Sequence, residues 1–84
     1  MPPAATKPPM SQATEGFGAR VREFRQAASL TQEDLAEAAA VHWSYVGQVE
    51  RGQVNLTLHN MIKFARALGV DLAELVRGLD QASI

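Results

Sequence analysis

The side chains best equipped for chemistry in this 84-residue chain cluster between positions 42 and 55. Trp43, Ser44, Tyr45, Gln48, Arg51, Gln53 and Asn55 all carry hydrogen-bonding groups, and residues 43–49 include no carboxylate. Such a set suits recognition by hydrogen bonding better than bond-breaking. The catalytic alternatives are thin. The chain has no cysteine, so it offers no thiol nucleophile, disulfide framework or thiolate metal site. His42 and His59 lie far apart, with no spacing suited to a metal or a catalytic triad. Glu33 and Asp34 are best read as favourable charge in the first turn of a helix. No glycine-rich phosphate loop is present. The expectation is a non-enzyme without metal or cofactor.

The elements that hold these residues follow from periodicity. Phe17, Val21 and Phe24 share one helix face, which predicts a first helix over about 16–28, with Ser29 and Leu30 as its exit. Thr31 and Asp34 form a capping box for a second helix whose inward face is Leu35, Ala36 and Ala39. Residues 39–42 must turn tightly, because a new apolar pattern starts at Trp43 and runs to Glu50. Gly52 then supplies a helix stop. Residues 53–56 form a loop. Thr57 caps a fourth helix with Leu58, Met61, Ile62, Ala65 and Leu68 inward, ended by Gly69. Asp71 and Glu74 predict a capping box for a fifth helix, with Leu72, Leu75 and Val76 inward and Gly78 at its end. Nothing alternates as a strand does, so the fold class is all-α, a compact domain of five short helices over 15–84.

Residues 1–14 hold all four prolines among small and polar neighbours and read as a flexible arm. With one lysine and no apolar stretch, residues 1–10 do not read as a secretory leader. No apolar run reaches the length of a membrane span. A cytoplasmic location fits the absence of cysteine. The formal net charge of −1 argues against a crude basic patch, but what matters for a polyanion is where the charges sit.

Helices two and three, joined by about three residues, must cross closely. Ala36 and Ala39 permit the approach, Val46 and Val49 face it, and Leu35 and Val41 fill the wedge. At about 100° per residue, Trp43, Ser44, Gly47, Gln48 and Arg51 then point away from the valines. Glu50 lies between the two faces.

These stretches carry a resemblance. L-T-Q-E-D-L-A at 30–36, V-x-x-S-Y-V at 41–46, V-E-R-G at 49–52 and A-R-A-L-G-V at 65–70 resemble the Cro/phage-repressor type of helix-turn-helix domain, also called XRE-like. The loop N-L-T-L at 55–58 and the bare-domain length resemble restriction–modification controller proteins. The resemblance implies a repressor-like fold and a DNA-binding regulator working as a homodimer on two half-sites of double-stranded DNA. It places Trp43, Ser44, Gly47 and Gln48 against bases. Gln32, Tyr45, Arg51, Gln53 and Asn55 fall to phosphates, and Leu72, Leu75, Val76 and Leu79 to the subunit contact. No small-molecule effector site is evident.

The sequence departs from that pattern at the corner. Ala40 stands where glycine is usual, and alanine bears a cost at positive φ. His42 replaces the usual Ser or Thr cap. Trp43 replaces a commonly polar residue, and either packs back on the domain or a sugar, or meets a thymine methyl. Gly47 reads nothing itself and permits close approach. The alternative function is a protein-interaction module of the same fold, antitoxin-like, with Trp43 as an anchor.

Overall fold

The computed structural model describes residues 7–83. Five α-helices follow one another, α1 Gln12–Ala27, α2 Gln32–Ala39, α3 Trp43–Glu50, α4 Leu58–Leu68 and α5 Leu72–Val76, before a single 3₁₀ turn at Leu79–Gln81. There is no strand among the described residues. Side chains from all five helices meet in one core. Val21, Leu35, Val46, Val49, Phe64 and Leu75 are its largest fully buried members. Burying a side chain of this kind stabilises the fold by about 1.5–3 kcal/mol.

Helix α1 begins earlier than periodicity predicts. Ser11 accepts from the Thr14 backbone N–H at 3.1 Å, and Thr14 Oγ1 accepts from the Ser11 N–H at 3.0 Å. This reciprocal cap is easy to miss in sequence because Thr replaces the usual Glu or Gln. Residues 12–14 of the expected arm therefore form the first turn of α1, while residues 1–6 lie outside the described residues. Lys7 to Ser11 are pinned rather than loose. The Met10 N–H donates to the Gly52 carbonyl at 2.8 Å, and Thr14 Oγ1 donates to the same oxygen at 2.8 Å.

The other caps divide. Thr31 and Asp34 form the predicted box on α2, and Thr57 accepts from the Asn60 N–H on α4. The Asp34 carboxyl is held below its ordinary range, first by the Thr31 backbone N–H and then by its side chain. The box expected at α5 does not form. Asp71 makes no side-chain cap, and the exposed Glu74 carboxylate pairs with Arg77 one turn on at 3.2 Å. In α4 the buried stripe differs from the predicted face. Phe64 is fully buried, whereas Leu58 is 61% exposed. Phe64 joins Met61, Ala65 and Leu68 at the 3.6-residue repeat, while Leu58, the first residue of the helix, stays exposed beyond the end of the buried stripe.

Two backbone features fix the corner that positions α3. Ala40 closes α2 in the left-handed region at φ 55°, and its carbonyl accepts from Lys63 Nζ on α4 at 3.1 Å. Gly18 lies where α1 crosses the end of α3. A Cβ there would collide with the Val49 carbonyl and come within 2.8 Å of the Glu50 carbonyl oxygen, so only glycine allows this crossing.

Candidate nucleic-acid interface

Helix α3 has an anchored side and a presented side. Val46 and Val49 are fully buried, as their spacing predicts. Trp43, Ser44 and Gln48 are exposed on the other side. Trp43 keeps 59% of its surface accessible and stacks on the neighbouring His42 ring, with centroids 5.7 Å apart. Its indole therefore rests on its neighbour and does not fold back onto the core.

His42 caps α3 through Nδ1, which accepts from the Ser44 backbone N–H at 3.1 Å. An acceptor at this position satisfies one of the otherwise unpaired N–H groups of the first helical turn. The same Nδ1 lies 2.7 Å from Ser44 Oγ.

Gly47 is the one proposed base-facing position that the structure covers. It is buried, and a Cβ added there would meet the Arg51 guanidinium at 3.0 Å. The cover is the far end of an exposed, flexible side chain from the next turn. A residue without a side chain leaves space, and Arg51 occupies it.

The expected phosphate contacts separate into engaged and open groups. Gln32 is half-buried, and its Nε2 donates to Glu50 Oε1 at 3.0 Å. Tyr45 is tied to α4. Its hydroxyl accepts from Asn60 Nδ2 at 3.1 Å, and its ring stacks on Phe64 with centroids 6.1 Å apart. Gln53 accepts from Arg51 Nε at 3.2 Å and donates to the Lys7 carbonyl at 2.8 Å, which joins the N-terminal segment to the end of α3. Arg51 and Asn55 are exposed.

Glu50 organises this end of the site, a role that its position between the faces only half suggests. Arg25 on α1 grips it with Nε at 2.6 Å and Nη2 at 3.0 Å, and Arg25 Nη1 donates to the Leu30 carbonyl at 2.9 Å. The pair is largely buried, with side-chain exposures of 12% for Arg25 and 4% for Glu50. The bidentate hydrogen bond to Glu50 raises the Arg25 pKa against the opposing effect of burial. One carboxylate thus joins α1, the start of α2 and the end of α3. The readable signal was a carboxylate at the edge of an otherwise acid-poor helix, with an arginine off the core face of α1.

The expected subunit contact also needs correction. Leu75 is fully buried in the protomer core and is unavailable to a partner. It belongs to the same buried cluster as Phe17, Val21 and Phe64, in the small core of a short chain. Leu72, Val76 and Leu79 are half-buried. Val76 and Leu79 border an open groove of about 440 Å³, shared with Ala13, Phe17, Leu56 and Met61.

No helix is long and apolar enough to cross a membrane, and no cluster of metal-ligating side chains occurs, among the described residues.

Comparison with known proteins agrees with this architecture. The helix-turn-helix family model HTH_3 matches residues 21–75. Control protein C.SmaI of Serratia marcescens is 41% identical over 56 residues, covering 67% of this chain and 67% of that protein. Control protein C.BamHI of Bacillus amyloliquefaciens is 39% identical over 61 residues, covering 71% and 75%. The crystal structure of the restriction–modification controller protein C.AhdI from Aeromonas hydrophila superposes with a TM-score of 0.74 at 47% identity, covering 76% of this chain and 97% of that one. The family model spans more than half of the sequence, so the chain belongs to the helix-turn-helix family, whose members include these restriction–modification controller proteins.

Proposed function

We propose that this protein is a sequence-specific DNA-binding transcriptional regulator, acting as a homodimer on a pseudo-palindromic operator with α3 in the major groove. The observation that carries the reading is the division of α3. Trp43, Ser44 and Gln48 stand exposed on a helix held from behind by two fully buried valines. An α-helix about 10–12 Å across fits a major groove about 12 Å wide. The similarity to control proteins supports the regulatory role.

Within that reading each group has a task. Gln48 can bond adenine N6 and N7 together. Trp43, stacked on His42, offers an apolar edge to a thymine methyl. Arg51 holds a phosphate, and when it swings outward it uncovers Gly47 for close approach. Gln32, fixed by Glu50, keeps a second amide hydrogen for a phosphate oxygen at the start of α2, where backbone N–H groups also favour an anion. Tyr45 accepts from Asn60 and keeps its own hydrogen to donate. Gln53 and Asn55 extend the phosphate contacts beyond the end of α3. The partly exposed Leu72, Val76 and Leu79 form the subunit contact, with Leu75 behind them in the core.

Selection of duplexes from a random pool tests the proposal directly. A two-fold related motif with half-sites about one helical turn apart is expected, bound more weakly as salt rises. Gln48→Ala loses about 1–3 kcal/mol at one base position. Gln32→Ala weakens all sequences alike. Recovery of no motif, or a strictly monomeric mass at micromolar concentration, would overturn the operator or the dimer respectively.

A further inference from the structure

The contact between His42 and Ser44 fixes more than a helix cap. A backbone N–H can only donate, so the Ser44 N–H on Nδ1 at 3.1 Å makes Nδ1 the unprotonated ring nitrogen. An unprotonated nitrogen can only accept. The 2.7 Å contact between the same Nδ1 and Ser44 Oγ therefore has the hydroxyl as donor. The only hydrogen on that hydroxyl is turned inward, and the outward side of the exposed Ser44 presents lone pairs alone. A serine that could donate or accept is set here to accept.

We propose that His42 presets Ser44 as a hydrogen-bond acceptor in the major groove, so that the base facing it carries an exocyclic amino group, and that proton uptake by His42 inverts this preference. The proposal rests on α3 being the recognition helix. In the major groove only adenine and cytosine present an amino donor, whereas guanine and thymine present acceptors. When Nδ1 takes a proton from solvent, it becomes a donor toward Ser44 Oγ. The hydroxyl hydrogen is released outward, and Ser44 then favours guanine O6 or N7, or thymine O4. The Ser44 N–H loses its cap in the same step. Cytosine suffers most, because it has no major-groove acceptor to offer, while adenine keeps N7.

The surroundings leave the imidazole able to act in this way. It is exposed and forms no ion pair with a carboxylate from α2, α3 or α4 among the described residues. On its own helix its neighbours are the Trp43 ring and Ser44. From α4 the Lys63 ammonium approaches this corner, but it is bound to the Ala40 carbonyl two residues earlier.

The experiment measures binding of the selected duplex, and of all four bases at each position, at about pH 8 and about pH 5. Ser44→Ala identifies the position that Ser44 meets. The parent is expected to prefer adenine or cytosine there by about fivefold at the higher pH. On acidification cytosine falls behind guanine and thymine. His42→Asn supplies a cap acceptor that does not titrate, so it keeps the cap on α3 but loses the pH dependence at the Ser44 position; the base position that Trp43 meets is scored separately, because this variant also removes the ring on which Trp43 stacks. Nitrogen NMR of the free protein gives an independent check, with Nε2 of His42 expected to carry the proton. Preference for guanine or thymine at high pH overturns the proposal. So does an inversion that persists in His42→Asn, a protonated Nδ1 at high pH, or no position sensitive to Ser44→Ala. If a motif is recovered and responds to Gln48→Ala, those outcomes count against the His42 mechanism alone. Enrichment of no sequence removes the recognition-helix reading and this proposal with it.

Discussion

The two ends of α3 are built on opposite principles. At its C-terminal end the polar groups are tied inward. Glu50 is gripped by Arg25 and touched by Gln32, and the Gly52 carbonyl accepts from both Met10 and Thr14. At its N-terminal end His42, Trp43 and Ser44 partner only one another, although Tyr45 beside them is tied to α4. His42 caps Ser44, Trp43 stacks on His42, and all three stay exposed. The difference shows how a helix of eight residues can offer a defined surface. Such a helix is too short to be stable alone. Its geometry must be imposed from one end, which leaves the other end open to a partner.

That contrast can be broken most severely at the anchored end. Gly18→Ala drives a Cβ into the Val49 carbonyl, and neither partner in that clash is a flexible side chain. Overpacking costs typically about 1–3 kcal/mol, and a backbone collision lies at or beyond the upper end of that range. Urea denaturation should show a loss of at least about 3 kcal/mol. A loss under about 1 kcal/mol would mean that α1 and α3 can separate cheaply.

Glu50→Ala comes next. It leaves the largely buried Arg25 guanidinium unpaired and releases Gln32. Removing one partner of a buried ion pair costs about 3–5 kcal/mol, and the lower end applies because Arg25 keeps its bond to the Leu30 carbonyl. DNA affinity, measured below the unfolding midpoint, should fall evenly across sequences as Gln32 loses its support. A loss confined to one base position would place Glu50 at the presented end instead.

A smaller change sharpens the contrast by relieving the corner between α2 and α3. Ala40 occupies the left-handed region, where a Cβ is penalised. Ala40→Gly removes that penalty but makes the unfolded chain more flexible. The net gain should be about 0.5–1 kcal/mol in thermal or urea unfolding. A loss would show that the alanine methyl contributes packing that outweighs the strain.

The smallest effect concerns the cap that starts α2 beside the anchored end. The Asp34 pKa is lowered in the folded state by its bonds from Thr31. A lowered carboxyl pKa contributes stability above the unfolded value, and that contribution is lost as pH falls through the folded value. Urea midpoints of the parent should therefore drop on acidification by more than those of Asp34→Asn. Equal slopes would show that the capping box contributes nothing beyond its neutral hydrogen bonds.

Much of this was legible along the chain. The Thr31 box, the small residues of α2, the inward valines of α3 and the glycine stop at Gly69 are local signals, and the structure contains each of them. The departures differ in kind. Ser11–Thr14 is a cap of unusual composition preceded by prolines. At α5 Asp71 makes no side-chain cap and Glu74 pairs with Arg77 instead, and in α4 Phe64 is buried while Leu58, in the first turn, is not. Periodicity does not rank which of several apolar or polar side chains the packed structure uses.

Sequence by itself determined that the chain is helical, where α2 and α3 lie, and that the acid-poor side of α3 faces away from its valines. These follow from backbone geometry and from a 3.6-residue repeat, both of which act within a few residues. Only the tertiary structure decided that Glu50 joins three helices, that Leu75 belongs to the core, that Arg51 covers Gly47, and that Lys7 to Ser11 are held against the end of α3. Those contacts depend on which distant side chain reaches a group first, and that competition is settled by packing in three dimensions.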